Sequence, residues 1–413
     1  MSGVIETGMW IGAVILAVPS LFFFVQATLS LFHVSQALPG EGDRPKLGVL
    51  IHARDAVGVI GPTVQHLKAQ LQEGDRIVVI ADGSTDGTVS EAEAAGAEVV
   101  EMAGGPEHGE SGDHRRAWAR GAEHLQDGPP DVVVLLDPDA RVSEGGLDRL
   151  ARRARGSERP VQADYLPLPA ELGPDDAMAG LAVAIRNRVR PRGLAVLGLP
   201  CRLVGSGMAL QWDLFRDGPQ GDATRPDDVT WTVAYARQDK APVYEGDVQV
   251  TGPVAGTTEA ALERPVDRNL AGESSRSLTA RLLEAPGLMG TGLRRFKPSL
   301  FGLGLDFTVP PLDALYVMLI GATVFSTAAA WAVGPGPMYV TGASLGLVIL
   351  GTLVAWVGPA QSVVPLKHMF LVPKRLTGKA FGSIRSGRKK KAPAELPADN
   401  PSSGSPVSEE KST

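Results

Sequence analysis

The stretch Arg76-Ile-Val-Val-Ile-Ala-Asp-Gly-Ser-Thr-Asp-Gly-Thr88 decides the fold of this chain. Its first part, Arg76–Ile80, is an apolar run that predicts a buried strand, and Thr88–Ala95 predicts a helix. The glycines between them permit a tight turn in which the backbone can approach a ligand closely, and the polar residues of the turn can cap the helix that follows. A strand, a glycine-rich polar loop and a helix in this order predict one unit of a parallel α/β sheet.

The same alternation continues on both sides of this unit. Further strands are predicted at Leu47–Ile51, Ala97–Met102 and Asp131–Leu136, and further helices at Gly61–Gln72 and Arg115–Leu125. Near-continuous apolar runs are typical of strands that are covered on both faces. In a sheet of this kind the ligand lies at the carboxyl ends of the strands. We therefore predict an α/β domain with a mainly parallel central sheet, and we expect its chemistry in the polar residues that follow each strand.

Carboxylates follow three of the predicted strands. Asp55 follows the first strand, Asp82 follows the second, and Asp137 and Asp139 follow Asp131–Leu136. Because like charges repel unless a cation or ligand compensates them, acids gathered at one edge of a sheet indicate a binding site. Asp137 and Asp139 are two residues apart on an extended segment, so both side chains point to the same side. This spacing suits Mg²⁺ or Mn²⁺ bridging the protein and a diphosphate; a solvated turn is the alternative.

The loop from Asp82 to Thr88 has two interpretations. Asp82 can accept hydrogen bonds from the edge of a nucleobase, while Gly83 and Ser84 bring the backbone close to the ligand. The alternative is a capped strand-to-helix loop that binds no ligand.

The region from Leu47 to about Gly272 resembles the family 2 glycosyltransferases of the GT-A fold. The block Val79–Thr88 is very similar to the loop with which this family binds the base of its nucleotide-sugar donor, and Asp137-Pro-Asp139 matches its metal-binding pair. The resemblance implies a uridine diphosphate sugar as the usual donor and a divalent cation, Mg²⁺ or Mn²⁺, as the cofactor. It implies that the nucleotide-sugar is bound by Asp55, Asp82, Gly83, Ser84 and Asp137, and the metal by Asp139 and Asp137.

Two downstream segments extend the resemblance. The first, Gly205-Ser-Gly-Met-Ala-Leu210, is similar to the family's glycine-rich segment facing the acceptor, which implies that the acceptor is bound by Gly205, Ser206, Gly207 and Met208. Taken alone, it predicts only a turn before a buried element.

Asp227 and Asp228 precede a predicted helix, Val229–Arg237, where the family keeps an acidic pair whose second carboxylate is the catalytic base. An acceptor hydroxyl must lose its proton as it attacks the anomeric carbon, and a single displacement inverts the configuration there. Helix N-capping is the alternative role of this pair.

The chain also departs from the family pattern. Processive members carry Gln-x-x-Arg-Trp near the membrane, whereas this chain has Pro265-Val-Asp-Arg-Asn269 and keeps only Arg268, implied by the resemblance as an acceptor-binding residue. The missing glutamine and tryptophan favour a non-processive enzyme that moves a sugar to a lipid-linked or growing envelope glycan or exopolysaccharide. At the end of the first strand, His52, Arg54 and Ala56 depart from the family's usual proline, histidine and acid. A processive polysaccharide synthase and a catalytically lapsed nucleotide-sugar-binding scaffold are therefore the alternatives.

Three uncharged apolar stretches predict membrane spans at Met9–Phe32, Ala314–Val333 and Met338–Val357. As a helix, the first would rise about 36 Å, more than the hydrocarbon core of about 30 Å. A cleaved signal peptide is the alternative for the first stretch, and a buried hairpin of core helices is the alternative for the other two. The tail from Lys367 to Lys391 holds nine Lys or Arg and no acid. By the positive-inside rule this predicts an inner-membrane protein whose catalytic domain and C-terminus are cytoplasmic.

These observations divide the chain into five expected parts. They are an N-terminal transmembrane anchor (1–40), a GT-A catalytic domain (44–275), an interfacial amphipathic segment (276–310), two transmembrane helices (311–360), and a basic then disordered tail (361–413). The formal net charge of −6 argues against a nucleic-acid-binding protein. The single cysteine, Cys201, excludes an intramolecular disulfide framework. The expected partners are the nucleotide-sugar donor, a lipid-linked or polysaccharide acceptor, and membrane lipids.

Overall fold

The computed structural model describes residues 2–32, 35, 43–103, 110–167, 177–218, 227–252 and 275–364. Within these ranges lie the strands β1 Leu47–Ala53, β2 Arg76–Asp82, β3 Glu98–Met102, β4 Val132–Leu136, β5 Arg141–Val142, β6 Val161–Leu166, β7 Met208–Gln211 and β8 Val243–Thr251. The helices are α1 Ser2–Leu29, α2 Ile60–Lys68, α3 Thr88–Ala95, α4 Glu110–Leu125, α5 Gly146–Ser157, α6 Ala177–Ala184, α7 Arg190–Val196, α8 Trp212–Arg216, α9 Asp227–Arg237, α10 Ser275–Arg294, α11 Pro298–Phe307, α12 Leu312–Val333 and α13 Gly336–Val357, with a π-helical turn at Ile185–Val189.

One eight-stranded sheet organises the domain, in the order β3-β2-β1-β4-β7-β6-β8-β5. Strand β1 is parallel to both β2 and β4, and β2 is parallel to β3. Strand β7 runs antiparallel between β4 and β6, and β8 is parallel to β6. The predicted α/β domain with a mainly parallel sheet is confirmed. Because the first four strands run in the same direction, their carboxyl ends meet at one edge.

Both faces of the sheet are covered, as the apolar runs predict. Along β4, Val132 and Val134 pack with the cluster under α2 and α5, whereas Val133 and Leu135 pack with the cluster that includes α4 and α9. This alternation follows from the two-residue period of a strand. All five residues of β4 are fully buried, which makes β4 an interior strand.

Several element boundaries differ from the prediction. Strand β2 extends to Asp82, because this residue still pairs with Met102 of β3. Helix α2 ends at Lys68 instead of Gln72, since Asp75 accepts the backbone N–H of Gln72 (2.8 Å) and fixes a turn there. Helix α9 begins at Asp227, so the acidic pair forms the first two residues of the helix and does not precede it.

The three apolar helices are long enough to cross a membrane, with mean hydropathies of 2.2 for Gly3–Leu29, 1.7 for Leu312–Val333 and 2.0 for Gly336–Val357. The first helix begins before the predicted Met9 and ends before Phe32. Helices α12 and α13 expose large apolar side chains, among them Trp331 (89 % exposed) and Val317 (72 %). If α12 and α13 formed a buried hairpin of core helices, such side chains would be covered. Their exposure favours contact with lipid over burial in a protein core.

Helix α1 packs against α13, α12 and α7, and both apolar and polar contacts hold it there. Gln26 donates from Nε2 to Asp306 Oδ1 of α11 (2.7 Å), and Arg190 of α7 donates to the same oxygen (2.7 Å). Gly193 of α7 allows the closest approach, because a Cβ there would lie 2.2 Å from the backbone oxygen of Gln26. These contacts make α1 part of the folded unit.

Helices α10 and α11 occupy the predicted interfacial segment. One side of the pair is buried against α9 in a cluster that contains Leu288, Leu303 and Phe307. The other side exposes Leu283 (75 %) and, in the turn between the two helices, Phe296 (92 %). An apolar outer surface on a helix pair next to membrane spans is typical of a segment at the membrane surface. The interfacial assignment therefore stays a prediction that the burial pattern supports.

Candidate active site

Strands β1, β2 and β4 end next to one another at the carboxyl edge of the sheet. Ala53 pairs with Ala81, one residue before Asp82, and Ile51 pairs with Leu136, one residue before Asp137. Strands β2 and β4, which lie on the two sides of β1, therefore bring Asp82 and Asp137 to the same edge of the sheet.

The Asp82 carboxylate is enclosed by residues that follow β1. Its side chain is fully buried, and Oδ2 accepts a hydrogen bond from Nη2 of Arg54 (2.7 Å) and contacts Nε2 of His52 (3.2 Å). Arg54 also donates from Nε to the backbone oxygen of Asp82 (3.0 Å). The guanidinium is 44 % exposed, so the charged group that this strand end presents to a ligand is Arg54, with Asp82 behind it. Among the described residues, Oδ1 of Asp82 is buried and has no hydrogen-bond partner.

His52 is held in a small aromatic group. Its ring lies 4.6 Å from that of His114 and 6.1 Å from that of Trp118, both on α4. Burial lowers the pKa of His52, because it disfavours the charged imidazolium, and the neighbouring His114 lowers it further, while Asp82 opposes the shift. His52 is therefore a neutral hydrogen-bonding group over most of the physiological pH range.

Asp55, Gly83 and Ser84 tie the two loops together. Asp55 adopts a left-handed conformation (φ 46°), donates its N–H to Ser84 Oγ (3.2 Å) and accepts the N–H of Thr85 (2.8 Å). Gly83, also left-handed (φ 62°), donates its N–H to the Met102 oxygen (2.9 Å). These contacts place all three residues at the predicted nucleotide site and fix the shape of its rim; their contact with a nucleotide remains a prediction.

The acid pair after β4 is anchored by a tyrosine. The hydroxyl of Tyr165 on β6 donates to Oδ2 of Asp137. Burial raises the pKa of Tyr165 well above its ordinary value, and the charges of Asp137 and Asp139 raise it further, so the phenol stays protonated and acts as a donor. Asp139 therefore lies close enough to the same phenol for its charge to act on it.

The residues at this position fit a divalent cation. Among the described residues, no group of three or more His, Cys, Asp or Glu side chains is arranged to hold a metal ion. Mg²⁺ and Mn²⁺ sites of nucleotide enzymes commonly use one or two carboxylates and take their other ligands from phosphate oxygens and water. Asp137 and Asp139 supply two hard oxygen donors of this kind, and both are partly exposed.

The glycine-rich segment lies directly beside the acid pair. Ser206 accepts the backbone N–H of Asp137 on its Oγ (3.0 Å), and Gly207 donates its N–H to Leu135 (2.9 Å). Ser206 and Met208 are buried, and Met208 packs in the apolar cluster, so their side chains support β4 instead of facing open space. Of the four residues of this segment that are predicted to bind the acceptor, Gly205 is the exposed one. We therefore expect the acceptor to contact the backbone around Gly205.

The predicted catalytic pair forms the N-terminus of α9. The placement of Asp227 and Asp228 in the helix is described, whereas their side chains lie outside the description. Thr232 lies one helical turn after position 228. Its Oγ1 accepts the backbone N–H of Leu203 (3.0 Å), and Leu203 lies two residues before Gly205. The start of α9 is thus joined to the glycine-rich segment. Arg268 lies outside the described residues.

Sequence reasoning missed two residues of this site. Arg54 departs from the family pattern, and a cation just after one strand, near an acid at the end of the next strand, is a signal for an ion pair. Tyr165 lies 28 residues after Asp137 and has no local pattern that points to it. Only the pairing of β6 with β7, and of β7 with β4, brings it to the acid pair.

One family model matches part of this chain. Residues 49–161 match the family model Glycosyl transferase family 2. This region runs from β1 to the start of β6 and contains Arg54, Asp82, Asp137 and Asp139. No curated protein sequence matches the chain.

Solved structures of similar shape include a mannosyltransferase from Pyrobaculum calidifontis in complex with GDP-Man and Mn²⁺, at 16 % identity and a TM-score of 0.45 over 86 % of this chain and 99 % of that one. The glucosyl-3-phosphoglycerate synthase from Mycobacterium tuberculosis in complex with Mn²⁺, UDP and glucosyl-3-phosphoglycerate is another, at 18 % identity and a TM-score of 0.35 over 59 % of this chain and 79 % of that one. Because these scores are low, the assignment rests on the family match and on the strand order with its acid pair. The chain therefore carries, at residues 49–161, a segment that matches the glycosyl transferase family 2 model, within a sheet of GT-A-like strand order.

Proposed function

We propose that this protein is an inverting, metal-dependent, non-processive glycosyltransferase that moves a sugar from a nucleoside diphosphate donor to a lipid-linked or growing envelope glycan. The observation that carries the proposal is the pair Asp137 and Asp139 at the carboxyl end of the interior strand β4. Asp137 accepts a hydrogen bond from the Tyr165 hydroxyl and donates its backbone N–H to Ser206 Oγ, so two partly buried contacts hold the first acid of the pair.

The donor nucleoside binds against the ends of β1 and β2. The half-exposed guanidinium of Arg54 offers donors to the carbonyl oxygens of a base or to phosphate, and its plane can stack on a ring. When Arg54 turns toward the ligand, Asp82 becomes the acceptor for a base N–H, and its unpartnered Oδ1 gains the hydrogen bond that it lacks. A uracil edge, with an N–H between two carbonyl oxygens, fits this pairing of an acceptor with a donor.

The diphosphate binds next to the acid pair. Asp139 and Asp137 would hold Mg²⁺ or Mn²⁺, and the cation, when bound, supplies positive charge that stabilises the departing nucleoside diphosphate. Tyr165 keeps its proton and holds Asp137 in place. Because the Tyr165 phenol stays protonated, it orients Asp137 as a metal ligand and takes no part in proton transfer.

The acceptor hydroxyl reaches the anomeric carbon from the side of α9. Its oxygen forms the new bond to that carbon while the bond from the carbon to the donor's phosphate oxygen breaks, and the nucleoside diphosphate leaves with the electron pair. Asp228 accepts the proton of the hydroxyl, and Asp227 lies beside it at the same helix start. One displacement of this kind inverts the anomeric configuration.

The membrane segments support a reaction at the cytoplasmic surface of a membrane. Helix α1 precedes the domain in the chain and α12 follows it, which favours one side of the membrane for their domain-side ends. The basic tail from Lys367 to Lys391 favours the cytoplasm for that side and the inner membrane of a bacterium as the location. A membrane-borne acceptor would present its sugar or phosphate at this surface.

The proposal is tested by assaying transfer in purified membranes with a panel of nucleotide-sugars and with lipid-extract acceptors. The wild type is expected to turn over at least one donor, and the product is expected to carry the inverted linkage by NMR. Asp228→Asn is expected to lose about 100-fold or more of the transfer rate because it removes the base. The matched control is Asp213→Asn, whose side chain is 77 % exposed and pairs with Arg216 at the surface of α8. Full transfer activity in a folded Asp228→Asn protein would remove this residue from the mechanism. Binding of a donor without any turnover would instead indicate a scaffold.

A further inference from the structure

The loop between β1 and α2, residues 54–59, is held largely by side chains that lie outside it. Four consecutive backbone N–H groups of this loop, at positions 55–58, donate to side-chain oxygens of the loop after β2 and of α3. In the order of the donors, the acceptors are Ser84 Oγ (3.2 Å), Thr88 Oγ1 (2.7 Å), Asp86 Oδ2 (3.1 Å) and Glu91 Oε2 (2.5 Å). Side chains that accept backbone N–H groups in this way determine the path of a segment outside the regular elements.

Glu91 of α3 also binds the start of α2. Its Oε1 accepts the backbone N–H of Gly61, the second residue of α2 (3.1 Å). The first N–H groups of a helix have no partner within the helix, and Val59, the residue before α2, forms no side-chain cap. The N–H groups of the first and fourth residues of α2 donate to backbone oxygens, and its third residue, Pro62, has no N–H. Glu91 therefore supplies the acceptor that the first turn of α2 lacks, and its negative charge is favourable at a helix N-terminus.

Two glycines let the Glu91 carboxylate come close to the backbone. Gly58 has φ 82°, a left-handed conformation that glycine adopts readily. A Cβ on Gly61 would lie 2.7 Å from Oε1 of Glu91, closer than a real Cβ approaches another atom. The carboxylate therefore meets the backbone of the loop and of α2 directly, because no side chain stands between them.

The loop that Glu91 holds carries two residues of the predicted nucleotide site. Arg54 donates to the buried carboxylate of Asp82, and Asp55 accepts the N–H of Thr85 at the rim of the site. Glu91 lies nine residues after Asp82. In the part of the chain that the structure describes, its carboxylate bonds to the N–H groups at positions 58 and 61. Any effect of Glu91 on a bound nucleotide must therefore pass through the loop.

We propose that Glu91 is a positioning residue of the nucleoside site: it fixes Gly58 and the start of α2, and so holds the loop in the path that sets Arg54 over Asp82. The inference rests on the proposed function in one respect, that a nucleoside diphosphate binds at the ends of β1 and β2. A loop that leaves its binding path for part of the time lowers the affinity in proportion to the fraction lost. A cap that only stabilised α2 would lower the melting temperature without a selective loss of nucleoside binding.

The experiment uses the full chain in phosphatidylcholine nanodiscs with Mn²⁺, well below the melting temperature of every variant. Calorimetry measures the dissociation constants of UDP, GDP, ADP, CDP and dTDP, and of inorganic pyrophosphate. For the nucleotide that the wild type binds most tightly, Glu91→Ala is expected to weaken binding about tenfold, as for a loop that keeps its binding path about a tenth of the time. Glu91→Gln is expected to weaken it less, because the amide oxygen still accepts one N–H.

Pyrophosphate affinity is expected to change less than about twofold in Glu91→Ala, because pyrophosphate lacks the nucleoside. The acid pair after β4 is held by Tyr165 and Ser206 instead of by this loop. Hydrogen exchange at residues 55–61 is a second measurement that needs no ligand. It is expected to become faster in Glu91→Ala, because two N–H groups lose their acceptor.

The matched control is Glu93→Ala, the same substitution two residues further along α3. Glu93 is exposed and forms no hydrogen bond or ion pair with the residues that the structure describes. This variant is expected to match the wild type in nucleotide affinity and in hydrogen exchange. Wild-type nucleotide affinity in Glu91→Ala overturns the proposal. So does an equal loss of affinity for the nucleotide and for pyrophosphate, which would mean general destabilisation of the domain.

The proposed function and this inference fail separately. Nucleotide binding that depends on Glu91, without any sugar transfer, would uphold the positioning role and reject the transferase. Sugar transfer with the same donor KM in Glu91→Ala and the wild type would do the reverse. If the wild type binds no nucleoside diphosphate, the proposed function is rejected, and hydrogen exchange at residues 55–61 still decides whether Glu91 holds the loop.

Discussion

Replacement of Arg188 by glutamine is expected to destabilise the domain strongly. Arg188 donates from Nε to Asp164 Oδ2 (2.8 Å), and its Nη1 donates to Ser362 Oγ (2.9 Å) after the last membrane helix. The Asp164 side chain is fully buried and that of Arg188 is 7 % exposed. Removing one partner of a buried pair leaves an uncompensated charge, at a cost of about 3 to 5 kcal/mol. Because Arg192 also lies near Asp164, we expect the lower end, about 3 kcal/mol.

The effect is measurable as a shift in melting temperature in detergent. For a domain of this size, about 3 kcal/mol corresponds to a fall of about 6 to 12 °C. Burial already raises the pKa of Asp164, and Arg188 opposes that shift. Without Arg188 the folded-state pKa rises further above the unfolded value. The destabilisation is therefore expected to be larger at pH 8, where the carboxylate must be charged, than at pH 5.

The matched control is Arg155→Gln. Its partner is Asp131 at 3.4 Å, and the two side chains are 60 % and 42 % exposed, so the pair contributes less than about 1 kcal/mol. The double variant Arg188→Gln/Asp164→Asn is expected to recover part of the loss, since it removes the charge as well as its partner. Equal melting shifts for Arg188→Gln and Arg155→Gln would refute the reasoning from burial.

Three further predictions concern the site and its attachment to the membrane helices. His52→Gln is expected to reduce the loss of stability that occurs between pH 7 and pH 5. Because the pKa of His52 is lowered in the folded state, the unfolded state of the wild type binds a proton in this range before the folded state does. Melting temperatures of both proteins across that pH range measure the difference. Gly207→Ala is expected to cost about 1 to 3 kcal/mol, since the residue has φ 70° and a Cβ would lie 3.1 Å from Val250; chemical denaturation of both proteins measures the difference. Gly193→Ala is expected to loosen α1 from α7, because a Cβ would overlap the backbone oxygen of Gln26; faster proteolysis near α1 reports it, and Gly287→Ala, which meets no atom within 4 Å, is the control.

The alternation of strands and helices could be predicted because its causes are local. Five-residue apolar runs such as β4 are buried on both faces, and the helix Thr88–Ala95 has the bounds that its sequence indicates. The membrane helices follow from length and the absence of charge, which are local as well. Helices α12 and α13 end at the predicted Val333 and Val357 and begin two residues early, whereas α1 begins and ends several residues before its predicted bounds, because helix ends depend on caps and on neighbouring elements.

The second half of the sheet could not be predicted in the same way. Strand β6 contains Gln162 and Asp164, which read as the polar face of a half-exposed strand, yet both are fully or almost fully buried. Gln162 donates to the Ser206 oxygen (2.8 Å), and Asp164 pairs with Arg188, so each polar group finds its partner on a distant segment. Such partners become visible only when the fold is known.

The same limit applies to the site. The positions of Asp82 and Asp137 followed from the strand ends, because the direction of parallel strands is enough to bring them to one edge. Strand pairing and side-chain geometry decide that Arg54 covers Asp82 and that Tyr165 holds Asp137. The two residues of each pair lie 28 positions apart in the sequence.

The measurement that tests the central claim most directly is donor turnover as a function of Mn²⁺ concentration, with the purified chain and a panel of nucleotide-sugars. The account predicts that at least one donor is turned over, that activity disappears with a chelator and returns with Mn²⁺ or Mg²⁺, and that a folded Asp139→Asn protein loses about 100-fold or more in rate. Asp213→Asn is expected to keep the wild-type rate. Metal-independent turnover, or wild-type activity in Asp139→Asn, would contradict the assignment of the acid pair after β4 as the catalytic metal site.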